Sequence, residues 1–201
     1  DTAPAPAVRK PGASTVLRPV AAATTPVVKR ALTPLSHAAP AGVGMDSVAV
    51  RTSMVRKLQG QGIVHAGVLA AMQAVERHRF VDTALANQAY EDTSLPIGLG
   101  QTISKPSVVA RMLELLCQGR EEKLGRVLDI GTGCGYQTAV LSMLAGHVYR
   151  IERLPELSAQ AALTLARIGV KNVTLKVGDG FEGWADRAPR PAILCAAAPE
   201  K

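Results

Sequence analysis

The sequence predicts an α/β fold built on a doubly wound, mainly parallel sheet. Three observations carry that prediction. Short apolar runs alternate with helical patterns from residue 126 onward, a glycine-rich turn joins the first such run to a helix, and an acid closes the next run. Parallel strands joined through helices take right-handed crossovers, which leaves few topologies to consider.

The elements follow in chain order. Residues 1–44 hold seven of the thirteen prolines and eleven alanines, with no helical or strand period. Such a stretch buries too little apolar surface to offset its ordering entropy, so residues 1–50 read as a disordered basic tail and 51–201 as the folded domain. From Met54 the pattern turns helical through Val55, Leu58, Ile63, Val64, Val68, Leu69, Met72 and Val75, interrupted at Gly60 and Gly62. Residues 82–105 are polar, carry Pro96, Gly98 and Gly100, and read as an extended loop region. Pro106 suits the first turn of a helix that stops at Gly119. Arg126–Ile130 is then a strand, 131–135 the glycine turn, and Tyr136 to about Leu144 a helix. A strand follows over 147–151, a helix over 155–168, and strands over 173–177 and 192–196. The architecture expected is Rossmann-like.

Bulk properties exclude several classes. With 201 residues, 47% apolar and 19% charged, the chain is globular and long enough for one domain with a real core. No apolar run reaches the roughly 18–20 residues that a spanning helix needs, and the N-terminus lacks the apolar core of a secretion signal. More than half of the net charge of +7 comes from Arg9, Lys10, Arg18, Lys29 and Arg30 in the tail, against Asp1 alone. The domain therefore does not read as a nucleic-acid surface. Cys117, Cys134 and Cys195 lack paired spacing, as do the four histidines. Free thiols in a reducing cytoplasm and no metal site are the expectation.

Asp129-Ile-Gly131-Thr-Gly133-Cys-Gly135 lies where strand becomes helix. Glycines there let the backbone approach a ligand, and the helix N-terminus offers free N–H groups. Glu152 ends the next strand, where an acid can accept ribose hydroxyls. Two cofactor classes fit. A dinucleotide fingerprint needs glycine at 136, where Tyr136 stands. The acid ahead of the glycines points instead to S-adenosylmethionine. Asp179 follows the third of these strands and reads either as an adenine-side acid or as a turn aspartate.

Three further segments narrow the class: Leu95-Pro-Ile-Gly-Leu-Gly-Gln-Thr-Ile-Ser-Lys-Pro106, Gly178-Asp-Gly-Phe-Glu-Gly-Trp184 and Ala196-Ala-Ala-Pro-Glu200. Together with the glycine loop they resemble the protein-L-isoaspartate O-methyltransferases from about Met54 to Glu200. The resemblance implies a Rossmann-like methyltransferase fold and methyl transfer from S-adenosylmethionine to the free carboxylate of isoaspartyl residues in damaged proteins. By the same resemblance Ser104 matches the active-site serine, and Gln101, Thr102 and Ile103 its neighbours over the cofactor. Asp129, Gly131 and Gly133 match the cofactor loop, Glu152 the ribose-binding acid, and Asp179 and Gly180 the adenine-side pair. Ala196, Ala197 and Ala198 match the strand end lining the reacting carboxylate. Partners implied are isoaspartyl proteins and peptides, met by a cytoplasmic monomer, with no membrane and no nucleic acid.

The residues fit that chemistry. A carboxylate with a pKa of about 4 is already ionised at neutral pH and needs no base, so positioning and water exclusion dominate. Ser104 suits a hydrogen-bonding role over a nucleophilic one, because no His/Asp triad motif accompanies it. The alternative for Ser104 is a cap on the helix beginning at Pro106.

The chain departs from the family at its end. Family members continue past the strand at 192–196, and Pro191 stands where an acid is usual. The expectation is a domain lacking its C-terminal strands, with an open edge rich in Ile193, Leu194 and alanines. On its own, such a chain is expected to be poorly soluble or partly unfolded, with little or no activity. An inactive or cofactor-binding-only descendant, a nicotinamide oxidoreductase and a tail-driven nucleic-acid binder stand as the other readings.

Overall fold

The computed structural model describes residues 48–120, 122–189 and 191–197. The tail reading thus falls almost wholly outside the described residues, and its last three positions, 48–50, belong to a helix. Helix α1 (Val48–Gly60) buries Met54 and Leu58, and α2 (Ala66–Ala74) buries Val68, Leu69, Ala71 and Met72. His65 caps α2 by accepting from the Val68 N–H through Nδ1 at 3.2 Å.

The stretch expected to be a loop is more ordered than its composition implied. It contains a 3-10 helix, Thr83–Gln88, and a hairpin of β1 (Leu95–Gly98) and β2 (Gln101–Ile103). Strands of three and four residues containing Pro and Gly show no alternation long enough to read, which is why the hairpin escaped the sequence pattern. Its two loop residues, Leu99 and Gly100, have φ of 52° and 70°. Two positive φ values define the turn that matches strand twist, but leucine is a poor choice there and asparagine a good one. Leu99 is 55% exposed, so little burial is at stake. Leu99→Asn should therefore stabilise the fold by about 0.5–1 kcal/mol, from the relief of left-handed strain. A thermal melt checks it, and an unchanged or lower midpoint contradicts it.

Helix α3 (Pro106–Cys117) starts with proline at its first position, as read. Val109, Ala110, Leu113 and Cys117 recur on one side and are at most 4% exposed. Each buried Val or Leu contributes roughly 1.5–3 kcal/mol. Glu114 of the same helix accepts from the N–H groups of Val64 and His65 at 2.6 and 3.0 Å, tying α3 to the start of α2.

The sheet contains β3 (Leu124–Ile130), β4 (Ala145–Glu152), β5 (Val173–Val177) and β6 (Ala192–Cys195), linked by helices α4 (Tyr136–Leu144) and α5 (Pro155–Arg167). All neighbours are parallel, in the order β5-β4-β3-β6. The chain steps outward from β3 to β5 and then crosses back to place β6 on the other side of β3. That reversal, the mark of a doubly wound sheet, opens a crevice at the C-terminal ends of β3 and β6. Val127 and Val148 face the main core with α4. Leu128, Tyr149 and Ile151 face the other way and meet Trp184, whose ring stands edge-on to Tyr149 at 5.5 Å. Ile193, in register with Leu128 on that second face, is 59% exposed. Pro191 stands just before β6, at a strand entry where the missing N–H costs nothing.

Candidate functional site

The crevice holds a cavity of about 840 Å³. Its floor is the glycine turn after β3, where Gly131, Gly133 and Gly135 have φ of 74°, 52° and 90°. Side chains are strained at such φ, and at Gly131 space forbids them as well. A Cβ on Gly131 would stand 2.5 Å from the Ala197 Cβ, and one on Gly133 would stand 3.0 Å from the Ile97 Cδ1. A Cβ on Gly180 would collide with Ile130. The turn is thus a cradle kept clear of side chains, so a ligand can approach its backbone closely.

Glu152 closes one wall. It is 5% exposed, and its two carboxylate oxygens accept from the N–H groups of Gly133 at 2.8 Å and Leu154 at 3.0 Å. Thr132 also lines the cavity, and its Oγ1 is buried with no protein partner among the described residues. A buried hydroxyl without a partner is costly. Gln101, Thr102, Ile103 and Ser104 line the opposite wall, brought there by β2. Asp179, Gly180, Ala196 and Ala197 also line the cavity. Ala198 lies outside the described residues.

Asp129 is placed differently from its companions. It is fully buried beneath the loop, not in the cavity wall, and accepts from Gln137 Nε2 at 2.9 Å and Thr138 Oγ1 at 2.7 Å. Burial pushes its carboxyl above the ordinary range, while the bonds from Thr138 and Gln137 and the nearby Arg150 pull it down. Its work is to fasten the first turn of α4 to β3. Asp179 spends one oxygen on the Phe181 N–H at 2.9 Å, so the turn-capping and ligand-facing readings of it both have a structural counterpart. Ser104 is not the cap of α3. Lys105 holds that position without a side-chain bond, and Asp92 accepts from the Ser107 N–H at 2.9 Å. Ser104 thus lines the cavity without capping the helix.

Tyr136, which breaks the dinucleotide spacing, is 1% exposed and wedges α4 against the N-terminal helices. Its ring meets Phe80 edge-on at 5.5 Å and carries the Arg77 guanidinium at 4.8 Å, and burial pushes its hydroxyl up to about 12. Arg77 in turn donates to the Ala89 carbonyl at 2.7 Å, anchoring the chain that leads into the hairpin. Sequence reasoning missed this support, along with Ile97, Arg153 and Phe181 in the lining. Ile97 and Phe181 lie within motifs already singled out, and Arg153 directly follows Glu152. Among the described residues no group of three His, Cys, Asp or Glu side chains is placed to hold a metal, and no helix is long and apolar enough to cross a membrane.

The family profile described as Protein-L-isoaspartate(D-aspartate) O-methyltransferase matches residues 49–201. A protein-L-isoaspartate O-methyltransferase of Methylibium petroleiphilum is 57% identical over 162 residues, covering 80% of this chain and 60% of the relative. One from Burkholderia vietnamiensis is 55% identical over 164 residues, covering 81% and 52%. The chain thus spans about half to three-fifths of the length of these curated relatives. A solved protein-L-isoaspartate O-methyltransferase superposes with a TM-score of 0.63 at 27% identity, covering 72% of this chain and 47% of that one. A Plasmodium falciparum structure of the same description, in complex with S-adenosyl-L-homocysteine, shares the fold with a TM-score of 0.54 at 23% identity. It covers 64% of this chain and 62% of its own.

Proposed function

We propose, given that the chain belongs to the protein-L-isoaspartate(D-aspartate) O-methyltransferase family, that its cavity binds S-adenosylmethionine for methyl transfer to the free carboxylate of L-isoaspartyl residues. The observation that carries the reading is the convergence of Ser104, the glycine cradle and Glu152 on one cavity. The role that follows is repair of damaged proteins, by a cytoplasmic monomer that needs no metal.

Each wall has a task. The carboxylate of Glu152 accepts the ribose hydroxyls while keeping its bonds to Gly133 and Leu154. Gly131 and Gly133 would let the backbone close on the methionine part of the cofactor. Asp179 and Gly180 receive the adenine side, and Gln101, Thr102 and Ile103 cover the cofactor. When bound, S-adenosylmethionine supplies an activated methyl on a sulfonium centre. The isoaspartyl carboxylate, like any carboxylate with a pKa of about 4, is already an anion at neutral pH, so no residue has to remove a proton. Ser104 would donate its hydroxyl to one carboxylate oxygen and leave the other free to receive the methyl group that the cofactor would supply. The backbone of Ala196 and Ala197 narrows the remaining space and excludes water.

The test is transfer of a labelled methyl group to a peptide with one isoaspartyl residue, beside an aspartyl peptide of the same sequence. Labelling confined to the first is expected, and equal labelling of both contradicts the reading. The ratio of the two rates carries the test even where turnover is slow. Ser104→Ala should lower kcat and kcat/KM together by about 10-fold or more, as loss of an interaction made mainly in the transition state does. Affinity for S-adenosylhomocysteine should stay within about twofold. A variant with wild-type turnover removes Ser104 from the mechanism.

A further inference from the structure

The two residues of β4 that share a face at its C-terminal end, Arg150 and Glu152, hold the middle glycine of the cradle from both sides. Gly133 gives its N–H to Glu152 Oε2 at 2.8 Å, and its carbonyl accepts from Arg150 Nη2 at 3.3 Å. Arg150 is fully buried and absent from the cavity lining, so it cannot touch a ligand there. It stands in register with Asp129 across the sheet, on the same face, and the charges of Asp129 and Glu152 both work against the penalty of burying its guanidinium. Its Nε and Nη1 find no hydrogen-bond partner among the described residues, and Nη1 points toward Gly135, 3.5 Å from where a Cβ would stand. A buried arginine with two unsatisfied nitrogens is a poor choice for stability alone.

We propose that Arg150 is a positioning residue for the cofactor: with Glu152 it clamps the Gly133 peptide and keeps the Glu152 carboxylate aimed at the ribose site. It acts through two contacts. The guanidinium fixes the Gly133 carbonyl, which sets the direction of the N–H that Glu152 receives. Its charge also lies beside both buried carboxylates, Asp129 and Glu152, and favours their staying on this side of the sheet. Because Arg150 lies outside the cavity, any effect on the ligand has to pass through the loop and Glu152.

The inference rests on the cofactor reading above, and the experiment separates the two. Calorimetry with S-adenosylhomocysteine is run on the wild type, Arg150→Met, Arg150→Lys, Glu152→Gln and the Arg150→Met/Glu152→Gln double variant. Wild-type binding supports the cofactor reading, and a wild type that does not bind overturns both. Given wild-type binding, Arg150→Met should weaken it at least 10-fold, and Arg150→Lys, which keeps the charge but loses the fork, should fall between. In the double variant the loss should be well below the product of the two single losses, because both act through one carboxylate. Arg150→Met binding within twofold of wild type, or losses that multiply in full, overturns the clamp. Should the methionine variant not fold, the same cycle with Arg150→Lys decides by the same criterion.

Discussion

Gly131→Ala should abolish cofactor binding and lower stability by about 2–5 kcal/mol. Two costs add. An alanine forced to a φ of 74° bears left-handed strain of about 1–2 kcal/mol. Its Cβ also meets the Ala197 Cβ at 2.5 Å and the Ala197 backbone nitrogen at 3.0 Å. Overpacking of that kind typically costs about 1–3 kcal/mol, and backbone cannot yield as a side-chain tip can. Gly133→Ala makes the contrast, because its Cβ meets only the Ile97 Cδ1, the end of a flexible side chain, at 3.0 Å. Thermal melts of both variants, with and without S-adenosylhomocysteine, check the order. Equal losses would show that space around the two glycines is not what sets the effect.

Glu152→Ala should cost about 1–3 kcal/mol of cofactor affinity, the range for losing charged hydrogen bonds. The substitution removes more than a ligand contact. It strands the N–H groups of Gly133 and Leu154 and leaves Arg150 with Asp129 as its remaining buried counter-charge among the described residues. Glu152→Gln keeps an acceptor oxygen and the shape, so its loss should be smaller. Calorimetry with S-adenosylhomocysteine distinguishes the two, and an alanine variant with unchanged affinity removes Glu152 from the ribose site.

The loop and its acid were legible because their chemistry is local. Positive φ selects glycine residue by residue, and the structure has it at 131, 133 and 135. The strand order was legible in outline, since apolar runs separated by helices leave few alternatives. What stayed hidden depends on what packs where. Arg150 within a strand reads as a solvent-facing polar residue until α4 and α5 cover its face. Arg77 likewise reads as surface charge, yet it lies under Tyr136 and secures the approach to the hairpin. Asp129 shows an intermediate case. Its motif marks it for the cofactor, but strand alternation puts it on the core face with Val127, and there it holds Gln137 and Thr138 of α4.

The claim on which the account rests is the identity of the ligand in the cavity. Calorimetric titration of the protein with S-adenosylhomocysteine and, separately, with NAD tests it most directly. The account predicts saturable one-to-one binding of S-adenosylhomocysteine and no comparable heat with NAD, because Tyr136 fills the place where the dinucleotide turn needs glycine. Preferential binding of NAD would contradict it.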